Sequence, residues 1–214
     1  MNFDIKGIIK KLSSERPIFH SEADFQFALA WKIKEIYSNF EIRLEKRKTI
    51  NGKEIYFDIF AFNENHKIAI ELKYKTQKFD YEHKNEHFEL KEQSAQDQGG
   101  YDFLKDISRL EQAVSDSIIN LGFAIFLTND KSYWKEPKRQ NVNDIDFKIY
   151  NQRQIYKGQE LRWKEKASKG TTGGRGNPIF LNDDYKFYWE SYSQINNHEF
   201  KYLLVKIKMR HNQN

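Results

Sequence analysis

The stretch Tyr56-Phe57-Asp58-Ile59-Phe60-Ala61-Phe62, then Asn63-Glu64-Asn65, then Lys67-Ile68-Ala69-Ile70-Glu71-Leu72-Lys73-Tyr74, decides how the whole chain is read. Aromatic and β-branched residues on either side of an Asn-rich turn predict two antiparallel strands. Strand side chains alternate, so Glu71 and Lys73 share one face while Ile70 and Leu72 share the other. The hairpin then sets Asp58 beside Glu71 on the neighbouring strand. Asp is depleted in strands, and this one stands among Phe57, Ile59 and Phe60. Two carboxylates and one ammonium therefore converge on one patch of a sheet. Taken alone, Glu-x-Lys is an ordinary surface ion pair worth little; Asp58 is what makes the patch distinctive.

Outward from this pair, Ile42 and Leu44 alternate before Asn51-Gly52, a dipeptide suited to a type I′ hairpin turn, so a third strand precedes the two. Further upstream, Phe3, Ile5, Ile8, Ile9 and Leu12 have helical spacing, and Pro17 closes that segment. Ser21 reads as an N-cap with Asp24 three residues on, opening a helix to about Ser38. Downstream, residues 76–98 are charged and irregular. A helix is predicted from about Tyr101 to Asn120, followed by a buried strand over Phe123–Thr128. Strand, helix and strand in that order imply a crossover and parallel pairing. Asp146–Tyr150 reads as a strand, and Tyr185–Tyr192 with Phe200–Lys208 as a closing pair joined at Asn196-Asn197. Four of the ten glycines fall in Gly170–Gly176, which reads as a loop.

The 214 residues suit one domain. Charged residues reach 31% and mean hydropathy is −0.88, but an aromatic content of 15% implies a buried core and excludes a disordered chain. No apolar run approaches the roughly 18 residues of a membrane-crossing helix, and Met1-Asn2-Phe3-Asp4-Ile5-Lys6 lacks the apolar segment of a signal peptide. Zero Cys excludes disulfides, thiolate metal sites and a Cys nucleophile, and points to a reducing, cytoplasmic setting. The net charge of +5 is uneven. Residues 131–175 hold twelve Lys/Arg against five Asp/Glu, or +7, leaving −2 for the rest. Tyr133, Trp134, Tyr156 and Trp163 interleave with these cations, as in surfaces that combine phosphate contacts with base stacking; a basic surface with its aromatics turned inward is the plain alternative.

Carboxylate oxygens are hard ligands suited to Mg²⁺, which binds through one or two carboxylates plus waters and phosphate oxygens. A nearby lysine can orient or deprotonate the attacking water. In this order and context, Asp58 followed by Ile70-Glu71-Leu72-Lys73 resembles the PD-(D/E)XK nuclease superfamily over roughly residues 19–128. Tyr56-Phe57-Asp58 lacks the proline that often precedes the family's aspartate. The resemblance implies an α/β fold: a restriction-endonuclease-like core with a mixed central sheet flanked by helices. To it the chain adds a β-rich, basic extension over about 129–214. It implies a DNA-cutting hydrolase with Asp58 and Glu71 holding Mg²⁺, Mn²⁺ as a substitute metal, and Lys73 catalytic. Glu22 matches the first-helix glutamate that many branches add to the metal shell; its plain alternative is a partner of the helix dipole. Candidate nucleic-acid contacts are Lys75, Lys105, Arg109 and Arg175. Duplex or branched DNA is the expected partner, with a homodimer favoured by double-strand cutting. A non-catalytic nucleic-acid-binding module on the same fold, and a protein-interaction domain, are the competing readings.

Two weaker motifs carry less. His83-Lys84-Asn85-Glu86-His87 fits a zinc-peptidase pattern but has no apolar stripe to bury its helix, so a charged loop or short solvated helix is expected. Gly170–Gly176 lacks the Gly-Lys-Ser/Thr ending of a phosphate loop. Asp102, Lys105, Asp106, Arg109 and Gln112 form a polar stripe on the predicted 101–120 helix, read mainly as solvent-facing.

Overall fold

A computed structural model describes residues 3–50 and 52–209. Asn51 of the expected turn, and Met1 and Asn2, lie outside the described residues. Helix α1 (Ile5–Glu15) buries Ile5, Ile8, Ile9 and Leu12. Helix α2 (Glu22–Ile36) starts where Ser21 Oγ accepts the Asp24 amide at 3.1 Å. Three antiparallel strands follow, β1 (Glu41–Ile50), β2 (Lys53–Phe62) and β3 (Lys67–Lys75). Then come the small hairpin β4 (Phe79–His83) and β5 (Glu86–Leu90), helix α3 (Gln96–Ser115), and β6 (Leu121–Thr128), which runs parallel to β3.

The later chain is built from short pieces. These are α4 (Lys131–Trp134), a 3₁₀ turn over Ile145–Phe147, β7 (Gln154–Ile155), β8 (Glu160–Leu161), α5 (Lys169–Thr172), β9 (Ile179–Phe180) and β10 (Tyr185–Lys186). The chain closes with β11 (Trp189–Ile195) and β12 (His198–Lys208). The result is a mixed α/β fold whose central sheet has six strands in the order β1-β2-β3-β6-β12-β11. β11 and β12 therefore lie within the central sheet, β12 running antiparallel beside β6. No helix among the described residues is long and apolar enough to cross a membrane.

Each sheet face has its own core. Phe25, Leu29 and Ile33 of α2 pack with Ile59, Ile70, Leu72, Phe123 and Ile125. Phe103, Leu104, Ile107 and Leu110 of α3 pack over Ala69, Ala124, Phe126, Leu203 and Val205. Small residues at 69 and 124 admit the large side chains of α3. Each fully buried Leu, Ile or Phe stabilises the fold by about 1.5–3 kcal/mol.

One irregularity positions the site. The β1–β2 ladder runs from Glu41↔Phe62 to Ile50↔Lys53 but skips the Glu45–Asp58 step. Glu45 there has φ 48, a left-handed backbone that costs a non-glycine residue about 1–3 kcal/mol. Ile59 and Ala61 lie in the α2-side core, whereas Ile55 and Phe57, of the same parity, lie in the α3-side core. The strand pair thus twists over at Glu45 and Asp58. The Gln26 amide spans the twist, donating to Asp58 O at 2.7 Å and Glu45 Oε1 at 2.8 Å.

Several sequence expectations are revised. Residues 79–90 form a hairpin, turning at Lys84 and Asn85, both with positive φ. Helix α3 begins before Tyr101 and ends before Asn120. Asp146–Tyr150 is not a strand; the Arg153 guanidinium takes the carbonyls of Asp146 and Lys148, which a ladder would need. Tyr185–Tyr192 is split, its first part pairing with β7 and its second with β12.

Candidate active site

The β2–β3 ladder stops at Ile59↔Ile70, and beyond it the two strands part. Buried backbone N–H groups need acceptors, and two side chains supply them. Asp58 Oδ2 accepts the Leu72 amide at 2.6 Å, and Glu22 Oε2 accepts the Tyr74 amide at 2.6 Å. The carboxylates stand where an adjoining strand would have continued. The Ser21 cap fixes the first turn of α2, and with it Glu22.

Glu71 and Lys73, on the other parity of β3, meet α3. Glu71 is only 2% exposed, and its Oε1 lies 3.3 Å from Arg109 Nη2. Lys73 Nζ lies 2.6 Å from Asp106 Oδ2 and donates to Leu72 O at 3.0 Å. Arg109 also pairs with Asp106, itself only 3% exposed. Charge therefore alternates along Lys73, Asp106, Arg109 and Glu71.

Burial pushes the Asp58 carboxyl up to about 6, although the Leu72 amide and the Lys73 ammonium both favour its anion. Burial also holds the Glu71 carboxyl well above the usual range; Asp106 adds to this and Arg109 offsets part of it. For Lys73, burial alone would lower the ammonium, but the charge and hydrogen bond of Asp106 raise it overall. Lys73 thus keeps its proton here and acts as a cation. The sequence expectation that it could serve as a base meets this obstacle.

The fold brings Asp58, Glu71, Lys73 and Glu22 into this one region and adds Arg109 to it. Lys75 is half-buried at the end of β3. Lys105 is exposed on α3, 6.0 Å from the Tyr101 ring centre. Arg175 forks onto Asp102, with both bonds at 2.8 Å. Sequence reasoning missed the roles of Gln26 and Asp106. Asp106 stood in the polar stripe of α3 but is buried, and its three-residue spacing to Arg109 was the available signal.

His83 and His87 sit on the two strands of the β4–β5 hairpin, not on one helical face. His87 pairs with Asp80 at 3.0 Å and His20 with Glu86 at 2.9 Å. Tyr133 and Trp134 are buried and Trp163 packs against the α3-side core, so of the four interleaved aromatics only Tyr156 is exposed.

Among the described residues no group of three or more His, Asp or Glu side chains could hold a metal ion. Mg²⁺ needs only one or two carboxylates. Asp58, Glu22 and Glu71 each spend one oxygen in the hydrogen bonds above and keep the other. The donor set of Asp58 and Glu71, all hard oxygens, suits that ion. Comparison of the chain with protein families, curated proteins and solved structures returned no match.

Proposed function

We propose that this chain is a Mg²⁺-dependent nuclease that hydrolyses DNA phosphodiester bonds, on a restriction-endonuclease-like core of the PD-(D/E)XK type. The observation that carries the reading is the parting of β2 and β3, where Asp58, Glu71 and Lys73 meet with two further charged groups from α3. Burying several ionised groups at one point costs stability that an apolar core would not. Strongly shifted carboxyls at such a point are a mark of functional sites.

Asp58 and Glu71 would hold the ion, with Glu22 beside them. Once bound, Mg²⁺ supplies Lewis-acid polarisation of the phosphoryl oxygens and a hydroxide at neutral pH. The protonated Lys73 orients the attacking water and neutralises charge that develops on phosphorus. Water oxygen forms the new P–O bond, the P–O bond to the leaving sugar breaks, and the leaving oxygen takes up a proton. Arg109, paired with Asp106 and Glu71, would turn from them to a phosphate oxygen.

The test is cleavage of supercoiled plasmid in Mg²⁺. Lys73→Ala and Asp58→Ala are expected to slow cutting by about 10²–10³-fold or more while far-UV circular dichroism stays that of the parent. Two variants that cut like the parent would sink the reading. The non-catalytic alternative is favoured by one observation: Glu71 and Lys73 are each already ion-paired with α3. It predicts salt-sensitive DNA binding with no cleavage in Mg²⁺ or Mn²⁺.

A further inference from the structure

We infer that the outer half of the β1–β2 hairpin, residues 46–57, is an arm that grips the phosphate backbone of the nucleic acid beside the proposed nuclease site; the inference rests on that reading for the identity of the substrate. The arm carries Lys46, Arg47, Lys48 and Lys53 against the single acid Glu54, a net charge of +3. Lys46, Arg47 and Lys53 are exposed and Lys48 is half-exposed. Tyr56 is 48% exposed and stands opposite Arg47 in the ladder.

Position gives this charge its meaning. The twist at Glu45 and Asp58 carries the arm over to the α3 side of the sheet, where Ile50, Ile55 and Phe57 join the core beneath α3. Glu71 and Lys73 meet α3 on the same side. The arm starts beside Asp58, Lys46 standing opposite Phe57 in the ladder, so its basic run opens one residue from that carboxylate. A polyanion approaching Asp58, Glu22 and Glu71 meets repulsion unless cations close by offset it. Lys and Arg contacts to phosphates supply that term without reading sequence. β1 is also an outer strand of the six, leaving one side of the arm uncovered by the sheet.

The basic stretch 131–175 is a weaker claimant for this role. Arg153 is spent on backbone carbonyls, Arg175 on Asp102 and Lys148 on Asp144. Among the described residues of the arm only Arg47 has an acidic partner, Glu54 at 3.0 Å, and that pair is exposed.

The experiment is fluorescence anisotropy in EDTA with a labelled 20-base-pair duplex and the matching single strand, over a range of NaCl. The full chain is compared with Lys46→Gln/Arg47→Gln/Lys48→Gln and with a charge-matched control, Lys164→Gln/Lys166→Gln/Lys169→Gln. The arm variant is expected to raise Kd at least tenfold and to flatten the log–log salt slope by about 2.7 on duplex and about 2 on single strand. The control is expected to change Kd less than threefold. Equal loss in both variants would mean that net charge alone binds DNA, and overturns the arm. Parent-like affinity in the arm variant, or no binding by the parent, overturns it as well. If the arm variant loses affinity while the parent cuts nothing in Mg²⁺ or Mn²⁺, the arm stands and the nuclease reading falls. If the parent cuts and the arm variant binds like it, the reverse holds.

Discussion

Asp106 touches both cations of the site, so replacing it strands the Lys73 ammonium in a place that water barely reaches. Removing one partner of a buried ion pair costs about 3–5 kcal/mol, whereas replacing both with apolar groups is often neutral. Asp106→Leu should therefore lower the urea midpoint sharply, and Lys73→Met added to it should restore part of the loss, Arg109 being left with Glu71 alone. A single variant that costs under about 1 kcal/mol would demote the pair to a surface contact. Asp58 gives a second prediction, with a definite sign. Its carboxyl binds a proton more tightly when folded, at about 6, than when unfolded, at 3.8. Between those values folding takes up a proton, so this group's contribution is greatest below pH 4 and is lost as pH rises through 6. Asp58→Asn keeps an acceptor for the Leu72 amide and carries no charge. In EDTA it should melt above the parent at pH 8, by the equivalent of about 3 kcal/mol, and show no such gain at pH 4. Asp58 stood out in the sequence because an acid in an aromatic strand is a local anomaly. Asp106 did not, because which residue of a polar helix stripe faces inward depends on how the helix is rotated against the sheet.

Close approach explains why α3 begins earlier than its pattern suggests. Gly99 and Gly100 look like helix breakers in the sequence, yet both lie inside α3. A Cβ on Gly100 would stand 2.2 Å from the Phe147 carbonyl oxygen, and one on Gly99 2.4 Å from the Tyr133 hydroxyl. Gly100→Ala should lower the melting temperature by the equivalent of about 1–3 kcal/mol, because a backbone atom cannot swing aside. A gain, from reduced unfolded-state freedom, would show that the 3₁₀ turn is not seated there. The start of α2 was legible because capping is a local device: Ser21→Ala should cost about 1 kcal/mol. The β4–β5 hairpin was not, since its turn uses Lys84 and Asn85 in place of glycine and its outward residues are all charged or polar.

On the scale of the molecule, the mixed α/β class was legible from strand, helix and strand in succession. What sequence periodicity could not reveal was where the last strands go. The expected boundary near residue 128 falls between β6 and its neighbour β12, which pair over eight residues, Leu121–Thr128 with Lys201–Lys208. A chain ending at Asn129 would expose the β6 edge and uncover α3, whose core includes Leu203, Val205 and Ile207. It should lack cooperative unfolding, and limited proteolysis of the whole protein should release no stable 19–128 fragment. A soluble, cooperatively melting 1–129 piece would show instead that the core stands alone.

The same pairing bears on how the protein is made. β6 leaves the ribosome some eighty residues before the strand that covers its flank, an interval of about 4–16 s at ordinary rates of synthesis. Throughout it, Phe123, Ile125, Phe126 and Leu127 sit on a strand with one edge open, a site for mispairing with other nascent chains. The central sheet is complete only once β12 has been made and paired, which makes β6 the segment on which a chaperone would act.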